Sequence, residues 1–187
     1  DAGPAPLSVD AEDDRHHLLA VLRSALDDDA VVVNDMTKVS YAARTRLPTG
    51  APRSFLFPRG FGTLGFSPPA AFGAAIGSDR QVVSLVGDGG SLFTIGDLAT
   101  AVQYDLAVPI IVCNDDSYDI LEDVQRRDYG RTMATEIENP DFVALAESFG
   151  AAARRIGFDA VEAELPEALS AAFARDRPTV IEIPVEF

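Results

Sequence analysis

Short apolar runs alternate along the chain with longer stretches whose apolar residues recur every three or four positions. HHLLAVLRSAL (16–26) has helical spacing, with Asp13 and Asp14 placed to favour its N-terminus. AVVVN (30–34) is apolar without alternation, the pattern of a strand buried on both faces. PPAAFGAAIG (68–77) predicts a helix whose Ala and Gly residues let it approach a sheet closely. QVVSLVG (81–87) and VPIIVCN (108–114) repeat the buried-strand pattern, and SLFTIGDLATAVQY (91–104) between them predicts one helix. NPDFVALAESFG (139–150) predicts a helix capped by Asn139, with Pro140 at its first position and Gly150 as its stop. AARRI (152–156), FDAVEAELPEALSAAFARD (158–176) and PTVIEIPV (178–185) complete the alternation as strand, helix and strand. This order implies an α/β fold, a parallel sheet flanked by helices on both faces. Residues 1–12, with two prolines and little apolar weight, read as a linker or tail, leaving 13–187 as one domain.

Composition narrows the function classes. The 187 residues suit a single domain. Fifteen basic against thirty acidic residues give a formal charge of −15, which argues against a nucleic-acid partner. No apolar run approaches the roughly 18–20 residues of a membrane helix, and no signal segment opens the chain, so a cytoplasmic protein without a membrane partner is expected. The start at Asp1 reads as an excised domain or a processed product. Cys113, the only cysteine, excludes an intrachain disulfide and a cysteine-based zinc or iron–sulfur site; within a predicted strand it reads as a small core residue. Lys38 is the only lysine, a bias that suits high salt and a GC-rich genome equally.

Doubly wound sheets bind ligands beyond the carboxyl ends of their strands. Three loops therefore matter: 34–41, GDGGS (87–91) and NDDSYD (114–119). Glycines in the second let the backbone approach a ligand, and amides opening a helix suit phosphate oxygens. Asp88 is the informative residue, because a carboxylate beside a phosphate repels it unless a cation bridges them. A hard divalent cation such as Mg²⁺ takes oxygen ligands and keeps phosphate in its shell. Asn114, Asp115, Asp116 and the carbonyl of Ser117 offer further oxygens, and both loops leave the same sheet edge. The blander alternative is a tight turn and a solvated loop in a non-catalytic phosphate-binding module.

GDG (87–89), followed after 24 residues by Asn-Asp (114–115), resembles the thiamine-diphosphate motif, which usually ends in Asn-Asn. FGTLGFSPPAAFGAAIG (61–77), GDLATAVQYDLAVPIIVCND (96–115) and DRPTVIEIPV (176–185) resemble segments of the acetolactate synthase, pyruvate oxidase and 2-oxo acid decarboxylase family. The resemblance spans about residues 28–185 and implies that family's diphosphate-binding (PP) domain. It further implies that Asp88 and Asp115 ligate Mg²⁺ through side chains and Ser117 through its carbonyl. Asp115 departs from the usual Asn, adding charge beside the diphosphate and tightening the dependence on metal. Gly87, Gly89, Gly90 and Ser91 are implied at the phosphates. Leu64 is implied as the apolar prop under the bent cofactor, with its amide and the Gly62 carbonyl on the pyrimidine. The loop 34–41 matches no familiar wording, and Met36 and Thr37 are its expected cofactor contacts.

The family implies decarboxylation or carboligation of a small 2-oxo acid. It also implies a partner, because the glutamate that activates the cofactor belongs to a separate PYR domain or subunit, in a homo- or hetero-oligomer (dimer or tetramer). A 2-oxo acid ferredoxin oxidoreductase subunit is a second alternative, opposed by the single cysteine. His16 and His17, adjacent on one helix, read as surface residues. Phe55, Phe57, Phe61 and Phe66 stand open between core packing and a partner-facing surface. Asp119, Glu122, Asp123 and Gln125 follow the loop where relatives place substrate-proximal side chains, and read first as a solvated helix face.

Overall fold

Four strands are buried almost throughout: β1 (Val31–Asn34), β3 (Val82–Gly87), β4 (Pro109–Asn114) and β6 (Thr179–Pro184). Their largely apolar runs, interrupted by the buried Ser84 and Glu182, follow from helices on both sides. The computed structural model describes residues 14–186, so the expected linker or tail at 1–12 lies outside the described residues. Two short, half-exposed strands, β2 (Phe55–Leu56) and β5 (Ala152–Arg155), close the edges of a six-stranded, all-parallel sheet of order β2-β1-β3-β4-β6-β5.

The period of two along each strand sorts side chains into two cores. Val32, Val83, Leu85, Ile111, Cys113, Ile181 and Ile183 face one side, against α1 (Asp14–Ser24), α2 (Lys38–Arg46) and α8 (Val161–Phe173). Val31, Val33, Val82, Val86, Ile110, Val112 and Val180 face the other, against α3 (Ser67–Ile76), α5 (Leu98–Gln103) and α7 (Phe142–Ser148). Cys113 is buried as expected, and burial pushes its thiol far above the ordinary range, so it stays protonated.

Two helix expectations need correction. Residues 91–104 are not one helix: α4 (Asp88–Leu92) ends early, a 3-10 turn spans 95–97, and α5 begins at Leu98. The break sits where Thr94 leaves helical geometry and its hydroxyl donates to the Gly65 carbonyl at 3.1 Å. Asn139 does not cap α7. Asp141 does, its Oδ1 accepting from the Val143 and Ala144 amides at 3.0 and 3.2 Å, so α7 starts two residues later and Asn139 is left for other work. The apolar pattern gave no sign of α2 or β2, whereas the solvated helix face expected around Asp119–Gln125 is α6 (Asp119–Tyr129), none of whose residues is fully buried.

Chain order positions the site. From β1 the chain goes to β2 on one side, then crosses over to β3 on the other. The loops after β1 and β3 therefore diverge and leave a crevice at the carboxyl edge, the topological switch point.

Candidate functional site

A cleft of about 220 Å³ opens at that switch point. Met36, Thr37 and Lys38 line it from the end of β1, and Gly87, Asp88, Gly89 and Gly90 from the end of β3. Asp115, Ser117, Tyr118 and Asp119 approach from the end of β4, and Gly62 and Leu64 from the loop before α3. Of the residues expected at the cofactor or metal, the fold brings all but one to the cleft wall. The exception is Ser91, which is buried inside its turn and donates its hydroxyl to the Asp88 carbonyl at 2.7 Å.

Asp35, which the sequence reading passed over, holds the β1 side together. It is fully buried and accepts from the amides of Met36 (2.8 Å), Gly65 (3.2 Å) and Ser67 (2.9 Å). One carboxylate thus fastens the 62–67 loop to the end of β1, although burial raises its pKa above the usual value. The fastening brings Gly62 close to Met36: a Cβ on Gly62 would lie 3.1 Å from the Met36 methyl, and its φ of +71° is strained for any side chain.

On the opposite wall, oxygens gather at the ends of β3 and β4. Burial pushes the Asp115 carboxyl up to about 7, and the charges of Asp88 and Asp119 add to the rise. Asp88 is raised as well, mainly by burial, against hydrogen bonds from Asn139 and the Gly89 amide. Both carboxylates therefore sit where ionisation is costly unless a cation shares the space. Among the described residues no three His, Cys, Asp or Glu side chains are grouped for a metal ion. Asp88, Asp115 and Ser117 line the same cleft, and two carboxylates with one backbone carbonyl are a donor set that would suit Mg²⁺ completed by phosphate oxygens and water.

Lys38 at the start of α2 reaches across the cleft to α6, with its Nζ 2.5 Å from Asp119 and 2.9 Å from Asp123. Burial opposes its charge, but the two carboxylates outweigh that and raise the ammonium pKa. Asp119 and Asp123 are thus latch residues and not simply a solvated face. Gln125 exchanges two hydrogen bonds with the backbone of Met133 (2.7 and 3.2 Å), and Glu122 pairs with Arg126.

The aromatic segment divides. Phe57 packs edge-on to Tyr41 and alongside Phe55 under the Arg44 guanidinium, and Phe66 is half-buried, whereas Phe61 beside the cleft is 97% exposed. His17 does not stand free on the surface; its ring meets Phe158 edge-on at 6.2 Å.

This crevice, with its GDG turn and converging oxygens, matches a known class. The family model described as "Thiamine pyrophosphate enzyme, C-terminal TPP binding domain" matches residues 35–183, and the chain belongs to that family. Acetolactate synthase of Bacillus subtilis (strain 168) is 34% identical over 183 residues, 96% of this chain and 32% of that protein. A probable 2-ketoarginine decarboxylase of Pseudomonas aeruginosa is 37% identical over 171 residues, 89% of this chain and 30% of that protein. Among solved structures, the thiamine diphosphate-dependent 4-hydroxybenzoylformate decarboxylase of Rhodococcus jostii RHA1 superposes with a TM-score of 0.83 at 35% identity, covering 100% of this chain and 35% of that one. The chain thus spans about a third of the length of these relatives. No helix among the described residues is long and apolar enough to cross a membrane.

Proposed function

We propose that this chain is the diphosphate- and Mg²⁺-binding half of a thiamine-diphosphate-dependent enzyme acting on 2-oxo acids, by decarboxylation or carboligation, and that a PYR domain or subunit completes its active site. The observation that carries the reading is the convergence of four loops on one switch-point cleft, each contributing residues of the matching type: Met36 and Thr37, Gly62 and Leu64, the GDGG turn, and Asp115 with Ser117. Asp88, Asp115 and the Ser117 carbonyl would hold Mg²⁺, and the Gly87, Gly89 and Gly90 backbone with Thr37 would face the phosphates. Ser91 serves from inside the turn by bracing the Asp88 carbonyl. Gly62 and Leu64 would orient the pyrimidine end, with Leu64 and Met36 as apolar walls that exclude water.

When bound, thiamine diphosphate supplies the electron sink for loss of CO₂ from a 2-oxo acid. This chain's share is to anchor and bend the cofactor and to neutralise its charge. Activation of the cofactor is assigned to a glutamate of the PYR partner. The exposed Phe61, next to the cleft loop, supports a partner-covered surface there.

The test is calorimetric titration of thiamine diphosphate into the enzyme that carries this domain, with and without Mg²⁺, followed by NMR of C2-proton exchange. Metal-dependent binding is expected, with rapid exchange only when the PYR partner is present. Metal-independent binding would remove the Mg²⁺ assignment. Rapid exchange on this chain alone would place the activating base within it and overturn the half-site reading.

A further inference from the structure

Asn139, released from capping α7, turns its side chain toward the ends of β3 and β4. Its Nδ2 lies 2.6 Å from Asp88 Oδ2, 2.9 Å from Asn114 Oδ1 and 2.9 Å from Asp116 Oδ1. Three acceptors around one nitrogen settle which end of the amide faces them, since an amide oxygen would meet only other oxygens. The opposite end carries a cost. Asn139 Oδ1 is buried with no hydrogen-bond partner, so the residue is placed for what its nitrogen does.

The acceptor on Asn114 is fixed in turn. Asn114 donates its own Nδ2 to Oε1 of the buried Glu182 at 2.9 Å, which obliges its oxygen to face Asn139. Arg155 Nε holds the other Glu182 oxygen at 2.8 Å, and its terminal nitrogen reaches Asp141 at 3.2 Å. Asp141 caps α7 two residues after Asn139, so the network returns to the segment from which it started. The side chains of Arg155, Glu182, Asn114 and Asn139 form a relay from the sheet edge to Asp88.

We propose that Asn139 is a positioning residue for the metal ligands: it pins one oxygen of Asp88 and ties the 114–116 loop to it, setting the spacing between the two ligand-bearing strand ends. Arg155 and Glu182 act through Asn114 to keep the relay in register. The inference rests on the Mg²⁺ reading above. It adds a residue that touches neither cofactor nor metal and on which ligand geometry depends. Mg²⁺ demands near-octahedral geometry, whereas Ca²⁺ accepts irregular shells. Loss of a positioning contact therefore weakens Mg²⁺ more than Ca²⁺, while a residue that only tethers a loop affects both alike.

The experiment measures Mg²⁺ and Ca²⁺ affinity in the presence of thiamine diphosphate, by calorimetry, on the full enzyme and on its Asn139→Ala, Asn139→Leu and Glu182→Gln variants. Asn139→Ala and Asn139→Leu are expected to lower Mg²⁺ affinity about 10–100-fold, the range for lost supporting contacts at metal sites. The Ca²⁺ affinity should fall by a smaller factor. Glu182→Gln, which preserves shape but removes the charge and leaves one acceptor for the two donors Arg155 and Asn114, should show the same selectivity change at reduced size, and it decides the matter if the Asn139 variants do not fold. Equal losses for both ions, or unchanged Mg²⁺ affinity, overturn the positioning role while leaving the Mg²⁺ site standing. Absence of any metal dependence in the unaltered enzyme overturns the Mg²⁺ reading and this inference with it.

Discussion

The two walls of the cleft are built on opposite principles. The β3–α4 turn is packed solid: Asp88 is 2% exposed, Gly89, Gly90 and Ser91 are buried, and the hydroxyl of Ser91 closes the turn from within. Helix α6 on the facing wall buries none of its residues, and Leu121 and Tyr129 stand 51% and 75% exposed. Polar contacts hold it: the Lys38 latch to Asp119 and Asp123, and the Gln125 pair with Met133. A packed turn keeps ligand atoms in place without help. A helix that buries its apolar residues only in part, as Ile120 and Val124 are here, gains little of the dominant stabilising term and takes its position largely from what it touches. The turn proposed to carry the phosphates and Asp88 is thus packed in place, while α6, beyond the loop that carries Asp115 and Ser117, is free to adjust to cofactor or partner.

The largest expected effect falls on the rigid wall. Asp88→Ala removes a ligand and leaves a diphosphate facing Asp115 and Asp116, so calorimetry should find thiamine diphosphate affinity in Mg²⁺ reduced at least ~10-fold, given that even supporting contacts cost about that much. Unchanged affinity would show that the packed turn is only scaffold. Asp115, at the end of β4, should give the metal-free protein an unusual pH response. Burial, with the charges of Asp88 and Asp119, lifts Asp115 from 3.8 to about 7 in the folded state. Between those values the folded form holds a proton that the unfolded form has lost. This group's contribution is therefore fully present at acid pH, declines as pH rises toward about 7, and is flat beyond. Denaturant titrations without metal should show that decline in the native chain and a shallower one in Asp115→Asn. With Mg²⁺ and cofactor bound the trend should reverse, because metal ligation requires the deprotonated form. Identical slopes in both proteins would mean Asp115 ionises normally.

A smaller effect tests whether the walls are coupled. A Cβ on Gly89 would lie 2.5 Å from the Tyr118 ring and 2.8 Å from the Ile137 methyl, at the start of α6 and in the segment after it. Gly89→Ala should cost about 1–3 kcal/mol by overpacking. Hydrogen exchange should also quicken across α6, although the substitution lies in β3's turn. Loss of stability without a change in α6 exchange would show that the helix moves independently of the turn.

The packed wall was the legible one. Strand runs such as VVSLVG followed directly by GDGGS carry both fold and chemistry in adjacent residues, so reading them needs no knowledge of contacts. The parallel sheet and the meeting of Asp88, Asp115 and Ser117 followed from those local signals. What escaped depends on pairs distant in sequence. Asp35 works through Gly65 and Ser67, Lys38 through Asp119 and Asp123, and Asn139 through Asp88, and none of these pairings leaves a trace in periodicity. Helix α6 was legible only as a solvated face, and its bounds were not, because residues that are not fully buried need no apolar stripe. Asn139 had one readable signal: in Asn-Pro-Asp the aspartate is the better-placed cap, which leaves the asparagine unassigned.

The smallest effect isolates the latch. Lys38→Met keeps the length of the side chain but removes the charge that holds Asp119 and Asp123, leaving those carboxylates to repel each other four residues apart on one helix. Asp123 is largely exposed, so water screens part of the interaction, and the change in local stability should be about 1 kcal/mol, the upper end for exposed pairs. Exchange of α6 amides should then accelerate ~5-fold, the factor corresponding to that energy, while amides of β3 and α4 keep their native rates. Saturating thiamine diphosphate and Mg²⁺ should restore part of the protection in α6, because the helix takes its position from its contacts and the filled cleft supplies new ones. Acceleration spread evenly over both walls would make Lys38 a general stabiliser, and no acceleration would mean that the Gln125 contacts with Met133 and the internal Glu122–Arg126 pair keep the helix formed without it.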